Sequence, residues 1–238
     1  MAHPFQIFDQ VRIINLVDRA DRRREMVDQL GRLGGWAPNI SFFEAHRPGS
    51  PGEFPSLGAR GCFESHLAVL EAAYLSGCQS LLILEDDFDF SRDGLARMAP
   101  VLSQLLAEDW ALFYGAHVLP TRGREGLIRI DADEPVLTTS FVAFNGPVIP
   151  EITQFLEAML LRPAGSPDYG PMHVDGAYTV FRSLNPQYTT FAAFPSLGRQ
   201  RSSPSDISPR KTPFERWKAT RIAVSTLRKG YNWWQRLR

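Results

Sequence analysis

Three consecutive carboxylates are the residues of this sequence whose types and spacing most directly indicate chemistry. Glu85, Asp86 and Asp87 come directly after an apolar Leu-Leu-Ile-Leu run. Neighbouring carboxylates repel one another unless a cation or hydrogen-bond donors neutralise their charge. Carboxylate oxygens suit Mg²⁺ or Mn²⁺, which commonly pair a protein carboxylate with substrate phosphate oxygens. The pattern predicts a divalent-metal site, and the alternative is a solvated turn with Asp89 or Asp93 capping the next helix.

Strand and helix patterns alternate around this cluster. A β-branched run from Val11 to Leu16 predicts the first strand, and apolar positions at helical spacing from Arg19 to Leu33 predict a helix capped by Asp18. Further strands are predicted at 40–43, 80–84, 110–114, 136–144 and 188–194, and further helices at 63–75, 95–106, 150–161 and 175–184. The alternation predicts an α/β domain with a Rossmann-type, mostly parallel central sheet flanked by helices, in which ligands bind beyond the carboxyl ends of strands.

The composition is that of one domain with a short appendage. The 238 residues are 44% hydrophobic, which supplies a substantial core, and 26 basic residues balance 26 acidic ones. This balance indicates no strong attraction of the whole chain to nucleic acid or membrane. We place the main domain at residues 1–207 and a basic, helical tail at 208–238. Cys62 and Cys78 match no metal-binding cysteine spacing and are expected to be free thiols.

The two ends of the chain bear on location. The N-terminus has neither a basic lead nor an apolar core of signal-peptide length, so we expect a cytoplasmic protein, at or near the inner face of the membrane. The tail combines Lys and Arg with Trp217, Trp233 and Trp234, which is typical of a helix on an anionic membrane surface. Docking of the tail on the acidic remainder of the chain is the competing interpretation. Nothing else resembles a nucleic-acid recognition module, so no nucleic-acid partner is expected.

Four segments, in order, resemble motifs of glycosyltransferase family 25. They are Ile13 to Arg22 for its Asn-Leu, Arg, Arg signature, Gly61 to His66 for its Gly-Cys-x-x-Ser-His, Leu84 to Asp87 for its Leu-Glu-Asp-Asp, and Val174-Asp175 for its Val-Asp. Order and spacing together are more specific than any one motif. The resemblance covers roughly residues 11–207.

The resemblance implies an inverting enzyme of GT-A fold that uses a nucleotide sugar, typically UDP-galactose, and a divalent metal, Mn²⁺ or Mg²⁺. It makes Asp87 the first candidate metal ligand, with Glu85 or Asp86 nearer the ribose and Asp86 a second candidate ligand. His173 is a further candidate, because neutral imidazole binds divalent ions.

Candidate donor-binding residues lie at the end of the first strand and in two later segments. Asn15, Leu16, Arg19 and Arg22 stand where nucleotides are contacted in such sheets, although Arg22 could equally belong to a solvated helix face. Ser65 and His66 fall in the first turn of the helix predicted from Phe63, where an anion is favoured. The alternative gives Ser65 a capping role and His66 a buried polar partner. Gln200 and Asp206 resemble closing elements of the family, as an ordered loop over the donor or a structural turn.

Inverting transfer needs a base that removes the acceptor hydroxyl proton. Asp175 is the candidate, and its alternative role is that of a helix N-cap. The leading hypothesis is a hexosyltransferase acting on a glycolipid or cell-surface polysaccharide precursor. The rivals are a metal-dependent nucleotidyltransferase and a non-catalytic nucleotide-sugar-binding partner protein.

Overall fold

The computed structural model describes residues 3–119 and 125–201. The strands are β1 Gln10–Asn15, β2 Ile40–Glu44, β3 Ser80–Glu85, β4 Phe88–Phe90, β5 Leu112–Tyr114, β6 Gly126–Ile130, β7 Phe141–Asn145, β8 Thr190–Phe194 and β9 Gly198–Gln200. The helices are α1 Ala20–Gly31, α2 Leu57–Leu75, α3 Arg92–Leu106, α4 Val148–Leu160 and α5 Val174–Leu184, and a short 3₁₀ helix spans Pro4–Ile7.

The main sheet has seven strands in the order β2-β1-β3-β7-β5-β8-β6. β1, β2, β3, β5 and β8 run in one direction, whereas β7 and β6 run in the other. A separate two-stranded ribbon pairs β4 with β9. The predicted α/β domain, with a mostly parallel central sheet flanked by helices, is confirmed.

The apolar run of β3 is explained by cores on both faces of the sheet. Leu81 and Ile83 pack in the core formed with α2, α4 and α5, whereas Leu82 and Leu84 pack in the core formed with α1 and α3. Because successive side chains of a strand point to opposite faces, a strand covered on both sides must be apolar throughout. None of the helices among the described residues is long and apolar enough to cross a membrane.

Three predicted helix starts were wrong. α2 begins at Leu57, where Ser56 caps it by accepting a hydrogen bond from Ala59 N, so Ser65 and His66 lie in the helix interior and not in its first turn. α1 is preceded by Arg19 as its cap residue, and the predicted cap, Asp18, instead pairs with Arg47.

The residue that caps α3 is neither of the two acidic residues considered from the sequence. The hydroxyl of Ser91 caps this helix by accepting a hydrogen bond from Gly94 N, in place of Asp89 or Asp93. β4, β6 and β9 were not predicted, because each is short or weakly patterned. Residues 208–238 and the boundary at 207 lie outside the described residues.

Gly94 fixes the approach of α3 to the strand ribbon. A Cβ added to Gly94 would lie 1.8 Å from the carbonyl oxygen of Leu197, just before β9. Gly94→Ala should therefore lower the free energy of unfolding by about 1–3 kcal/mol, the usual cost of overpacking, although alanine is the better helix former. Urea unfolding measures this change.

The matched control is Gly31→Ala at the end of α1, where an added Cβ meets no atom within 4 Å. This variant should keep or slightly raise the stability of the parent. Equal stabilities of the two variants would contradict the close contact between α3 and Leu197.

Candidate active site

The side chain of Asp86 joins the end of β3 to β1 and α1. The Asn15 side-chain amide donates to Asp86 Oδ2 at 2.7 Å, and Arg22 NH1 donates to Asp86 Oδ1 at 2.9 Å. Burial raises the pKa of Asp86, and the hydrogen bond from Asn15 and the charge of Arg22 oppose that rise. Both carboxylate oxygens are therefore engaged by protein donors.

Asp87 is less completely satisfied. Its Oδ2 accepts a hydrogen bond from Gln200 Nε2 at 3.2 Å and lies 3.8 Å from Arg22 NH1. Its Oδ1 is buried and has no hydrogen-bond partner among the described residues. Burial, followed by the nearby Glu85 carboxylate, raises the pKa of Asp87 to about 7. A cation at Oδ1 would remove this mismatch, because it would compensate the buried charge.

Arg201 holds the backbone of the acidic turn. Its amide donates to the carbonyl oxygen of Asp87 at 2.7 Å, and its NH2 donates to that of Asp86, also at 2.7 Å. The guanidinium also pairs with Glu25 and lies 3.3 Å from Asp89. These contacts position the two carboxylates through their main chain.

Glu85 faces the opposite side of the sheet from Asp86, as alternation along a strand requires. Its Oε1 accepts a hydrogen bond from Thr139 Oγ1 at 2.7 Å and lies 3.4 Å from His66 Nε2. Cys62 Sγ lies 3.9 Å from the same oxygen. The Oε2 of Glu85 is 3.4 Å from Gln200 Nε2, which also contacts Asp87. Glu85 thus lies between α2 and Asp87.

The interior of α2 gives its two predicted site residues different surroundings. Ser65 is buried, accepts a hydrogen bond from His46 N and donates to Gly61 O, which are structural contacts. His66 is fully buried, and its Nδ1 lies 3.0 Å from the Tyr178 hydroxyl. Burial raises the pKa of Tyr178 well above its usual value. His66 therefore has the buried polar partner that was the alternative to an anion-binding role.

Asp175 is the second residue of α5, not its N-cap, which is His173. Its carboxylate accepts from Gly176 N at 2.8 Å and from Thr138 N at 3.5 Å. Because Thr138 is adjacent in sequence to Thr139, one short segment contacts both Asp175 and Glu85. His173 is exposed.

A cavity of about 520 Å³ is lined by basic side chains and by the acidic residues Asp21, Glu25 and Asp89, but not by Asp87 itself. Arginines contribute half of its lining residues, namely Arg19, Arg22, Arg199 and Arg201. The guanidinium of Arg19 donates two hydrogen bonds to the Asp21 carboxylate, with lengths of 3.0 and 2.8 Å. Leu16 directly precedes the turn that follows β1, and its carbonyl oxygen accepts a hydrogen bond from Arg19 N.

The structure brings six of the predicted site residues together from distant parts of the chain. Asn15, Arg22, Glu85, Asp86, Asp87 and Gln200 form one contact network. Asp206 lies outside the described residues. Three residues of the site, Thr139, Tyr178 and Arg201, were not predicted from the sequence. Spacing could have indicated Tyr178, because it follows Asp175 by three residues on α5 and so lies on the same side of that helix.

Fold and site together define an α/β protein with carboxylates at the carboxyl end of a central strand, which is the edge where sheets of this kind bind ligands. Two curated relatives bear on the family that the sequence motifs resemble. The chain is 28% identical over 127 residues to human "Inactive glycosyltransferase 25 family member 3", covering 45% of this chain and 21% of the relative. It is 31% identical over 127 residues to "Procollagen galactosyltransferase 1" of Danio rerio, with the same coverage.

These relatives confirm the resemblance to glycosyltransferase family 25 over that part of the chain. The chain spans about a fifth of the length of either relative. No protein-family model matches the chain.

Two solved structures show a distant similarity to this chain. One is a glycosyltransferase involved in the glycosylation of the major capsid of PBCV-1, with a TM-score of 0.47, 13% identity, and coverage of 82% of this chain and 95% of that one. Another is UDP-glucose pyrophosphorylase complexed with UDP-glucose, with a TM-score of 0.42, 11% identity, and coverage of 81% and 74%.

Replacement of Asp87 by Asn should stabilise the metal-free protein at alkaline pH. The pKa of Asp87 is raised from 3.8 to about 7, so the folded state keeps a proton that the unfolded chain releases. Wild-type stability is therefore lost, relative to Asp87→Asn, as pH rises through this interval. In EDTA at about pH 8, the Tm of Asp87→Asn should exceed that of wild type, by roughly 2–4 °C per kcal/mol relieved.

Well below pH 3.8, the difference between the two Tm values should vanish, because the carboxyl is then protonated in both the folded and the unfolded state. Asp28→Asn, on the exposed side of α1, is the control and should give no pH-dependent gain. A lower Tm for Asp87→Asn at alkaline pH would show that the carboxylate is well compensated within the fold.

Proposed function

We propose that this protein is an inverting glycosyltransferase that transfers a hexose, with galactose as first choice, from a UDP sugar to a glycolipid or cell-surface polysaccharide. The relative named procollagen galactosyltransferase supports the reaction class, whereas the human relative is named an inactive member of the same family. The observation that carries the proposal is the buried Asp87 Oδ1, which has no hydrogen-bond partner among the described residues, whereas the Oδ2 of the same carboxylate lies 3.8 Å from Arg22 NH1.

The residues at this point fit a divalent metal, Mn²⁺ or Mg²⁺. Asp87 Oδ1 and the Oε2 of Glu85 would hold it, since both belong to carboxylates that approach the same Gln200 amide. Asp86 has both oxygens engaged by Asn15 and Arg22, so we give it a positioning role. His173 remains a predicted ligand. The metal would supply charge neutralisation for the departing diphosphate.

The arginine-lined cavity suits the diphosphate of the donor. Arg22 touches both Asp86 and the cavity, so its guanidinium lies between the acidic turn and any phosphate bound there. Arg19 is a second phosphate donor group, which would exchange its bidentate contact with Asp21 for an equivalent one with phosphate. Asn15 fixes Asp86 and so keeps Arg22 in place.

Asp175 is the proposed general base. The backbone contacts from Gly176 and Thr138 orient the carboxylate without donating a side-chain proton to it. In the transfer, Asp175 takes the proton of the acceptor hydroxyl while that oxygen attacks the sugar opposite the leaving diphosphate.

We also propose that the tail at 208–238 brings the enzyme to the cytoplasmic membrane surface, where a glycolipid acceptor lies. Its basic and aromatic composition supports this placement. Loss of binding to anionic vesicles on removal of the tail is the corresponding observation.

Asp87→Ala should abolish metal-dependent turnover of the donor. With Mn²⁺ and a panel of nucleotide sugars, we expect the release of nucleoside diphosphate to fall at least about 100-fold, because metal stabilisation of developing charge is worth several kcal/mol. Asp28→Ala, a substitution on the exposed side of α1, is the control and should retain wild-type rates.

The released product separates the rival functions. Nucleoside diphosphate supports sugar transfer, whereas pyrophosphate would identify a nucleotidyltransferase. Donor binding without any product, in the wild-type protein, would indicate a non-catalytic partner. Undiminished turnover by Asp87→Ala would remove the proposed metal site.

Asp175→Asn should separate chemistry from donor binding. The amide keeps an oxygen that can accept from Gly176 N but cannot take a proton, so kcat should fall by about 10²–10⁴-fold. The thermal shift produced by the donor and Mn²⁺ should stay as in wild type. An unchanged kcat would show that Asp175 is not the general base.

A further inference from the structure

The side of Glu85 that faces α2 brings together three different kinds of metal ligand. Cys62 and His66 are four residues apart on α2, so both side chains lie on one side of the helix. The sulfur of Cys62, a ring nitrogen of His66 and a carboxylate oxygen of Glu85 all lie within 4.8 Å of one another. The proposed transfer reaction uses neither Cys62 nor His66.

We propose that Cys62, His66 and Glu85 form a site for a thiophilic divalent cation of the Zn²⁺ class, distinct from the Mn²⁺ or Mg²⁺ site at Asp87. This inference goes beyond the proposed function and does not depend on it. Sulfur, imidazole and carboxylate are the ligand types that zinc takes, and three protein ligands leave a fourth position for water or a bound molecule.

The distances suit such an ion. Zinc–ligand lengths of about 2.0–2.3 Å place neighbouring ligand atoms of a tetrahedron about 3.3–3.8 Å apart. The Glu85 oxygen lies 3.4 Å from His66 Nε2 and 3.9 Å from Cys62 Sγ. Small side-chain movements therefore complete the geometry. Because Cys62 is partly exposed, the site also has an approach from solvent.

The groups around the ligands would orient them. The Tyr178 hydroxyl lies 3.0 Å from His66 Nδ1, and a hydrogen bond donated by Nδ1–H leaves the Nε2 lone pair directed towards Glu85. Thr139 Oγ1 donates to the same Glu85 oxygen at 2.7 Å. His66 and Tyr178 are completely buried, so the imidazole ring has little freedom to turn away.

Ligand chemistry separates this site from the one at Asp87. A thiolate selects zinc over manganese or magnesium, whereas an all-oxygen site prefers the latter. Metal binding replaces the thiol proton of Cys62, which is released to solvent. Glu85 is shared, since its Oε1 faces α2 and its Oε2 approaches the Gln200 amide beside Asp87. Occupancy of one site should therefore alter the affinity of the other.

Cobalt(II) chloride added to the metal-free full chain is the probe. Wild type should bind one equivalent with a thiolate-to-cobalt charge-transfer band, which equimolar zinc chloride removes. Cys62→Ala should lose the band. Cys78→Ala is the matched control, because Cys78 is the other cysteine of the chain, is buried and contacts Ser80 O. Asp87→Ala should keep the band, so failure of the proposed transfer reaction leaves this test intact.

Tyr178→Phe probes the orienting contact while it preserves the buried ring. The affinity for cobalt should fall about 10–100-fold, the usual effect of losing a hydrogen bond to a ligating histidine, with the band retained at saturation. A wild-type protein that binds cobalt without a charge-transfer band would overturn the proposal, as would a band that persists in Cys62→Ala or disappears equally in Cys78→Ala.

Discussion

The hydrogen bond between the buried Asn15 amide and Asp86 is the contact on which the site depends. It locks the end of β3 to the end of β1, where the parallel register already places Ile14 beside Glu85. Since side chains alternate along an extended segment, fixing Asp86 towards α1 directs Glu85 towards α2. One buried pair therefore decides how the acidic cluster divides between the two faces of the sheet.

This arrangement keeps like charges close together in a poorly solvated place. Asp86 is compensated by Arg22, whereas the half-buried Asp87 lies next to Glu85 and has its pKa raised to about 7. A fold selected only for stability would place an apolar or neutral residue there. Retention of such a carboxylate is the pattern expected of a functional site that binds a cation. Arg201 donates hydrogen bonds to the main-chain carbonyl oxygens of Asp86 and Asp87. These bonds hold the backbone of the acidic turn, which opposes a separation of the like-charged carboxylates.

Local sequence pattern predicted what depends on local physics. The apolar run of β3, the fold class and the carboxylates at its end could be predicted, because burial on both faces leaves a visible signal. Thr139 and Arg201 could not be predicted, because their contacts join residues that are far apart in the chain. Thr139 lies 54 residues from Glu85, and Arg201 lies 115 residues from Asp86. The motif resemblance supplied Gln200, which pattern alone would have left in a loop.

The start of α2 shows how one boundary changes a chemical interpretation. A first-turn position would make Ser65 and His66 part of an anion site, whereas the helix interior gives each a separate task. Gly61 admits the carbonyl of His46, from which an added Cβ would be 2.9 Å away, and Ser65 accepts the amide hydrogen of that same His46. These two residues hold the chain after β2 against α2. The intervening helical spacing then directs Cys62 and His66 together towards Glu85, so the Gly-Cys-x-x-Ser-His segment combines a docking face with a ligand-bearing face.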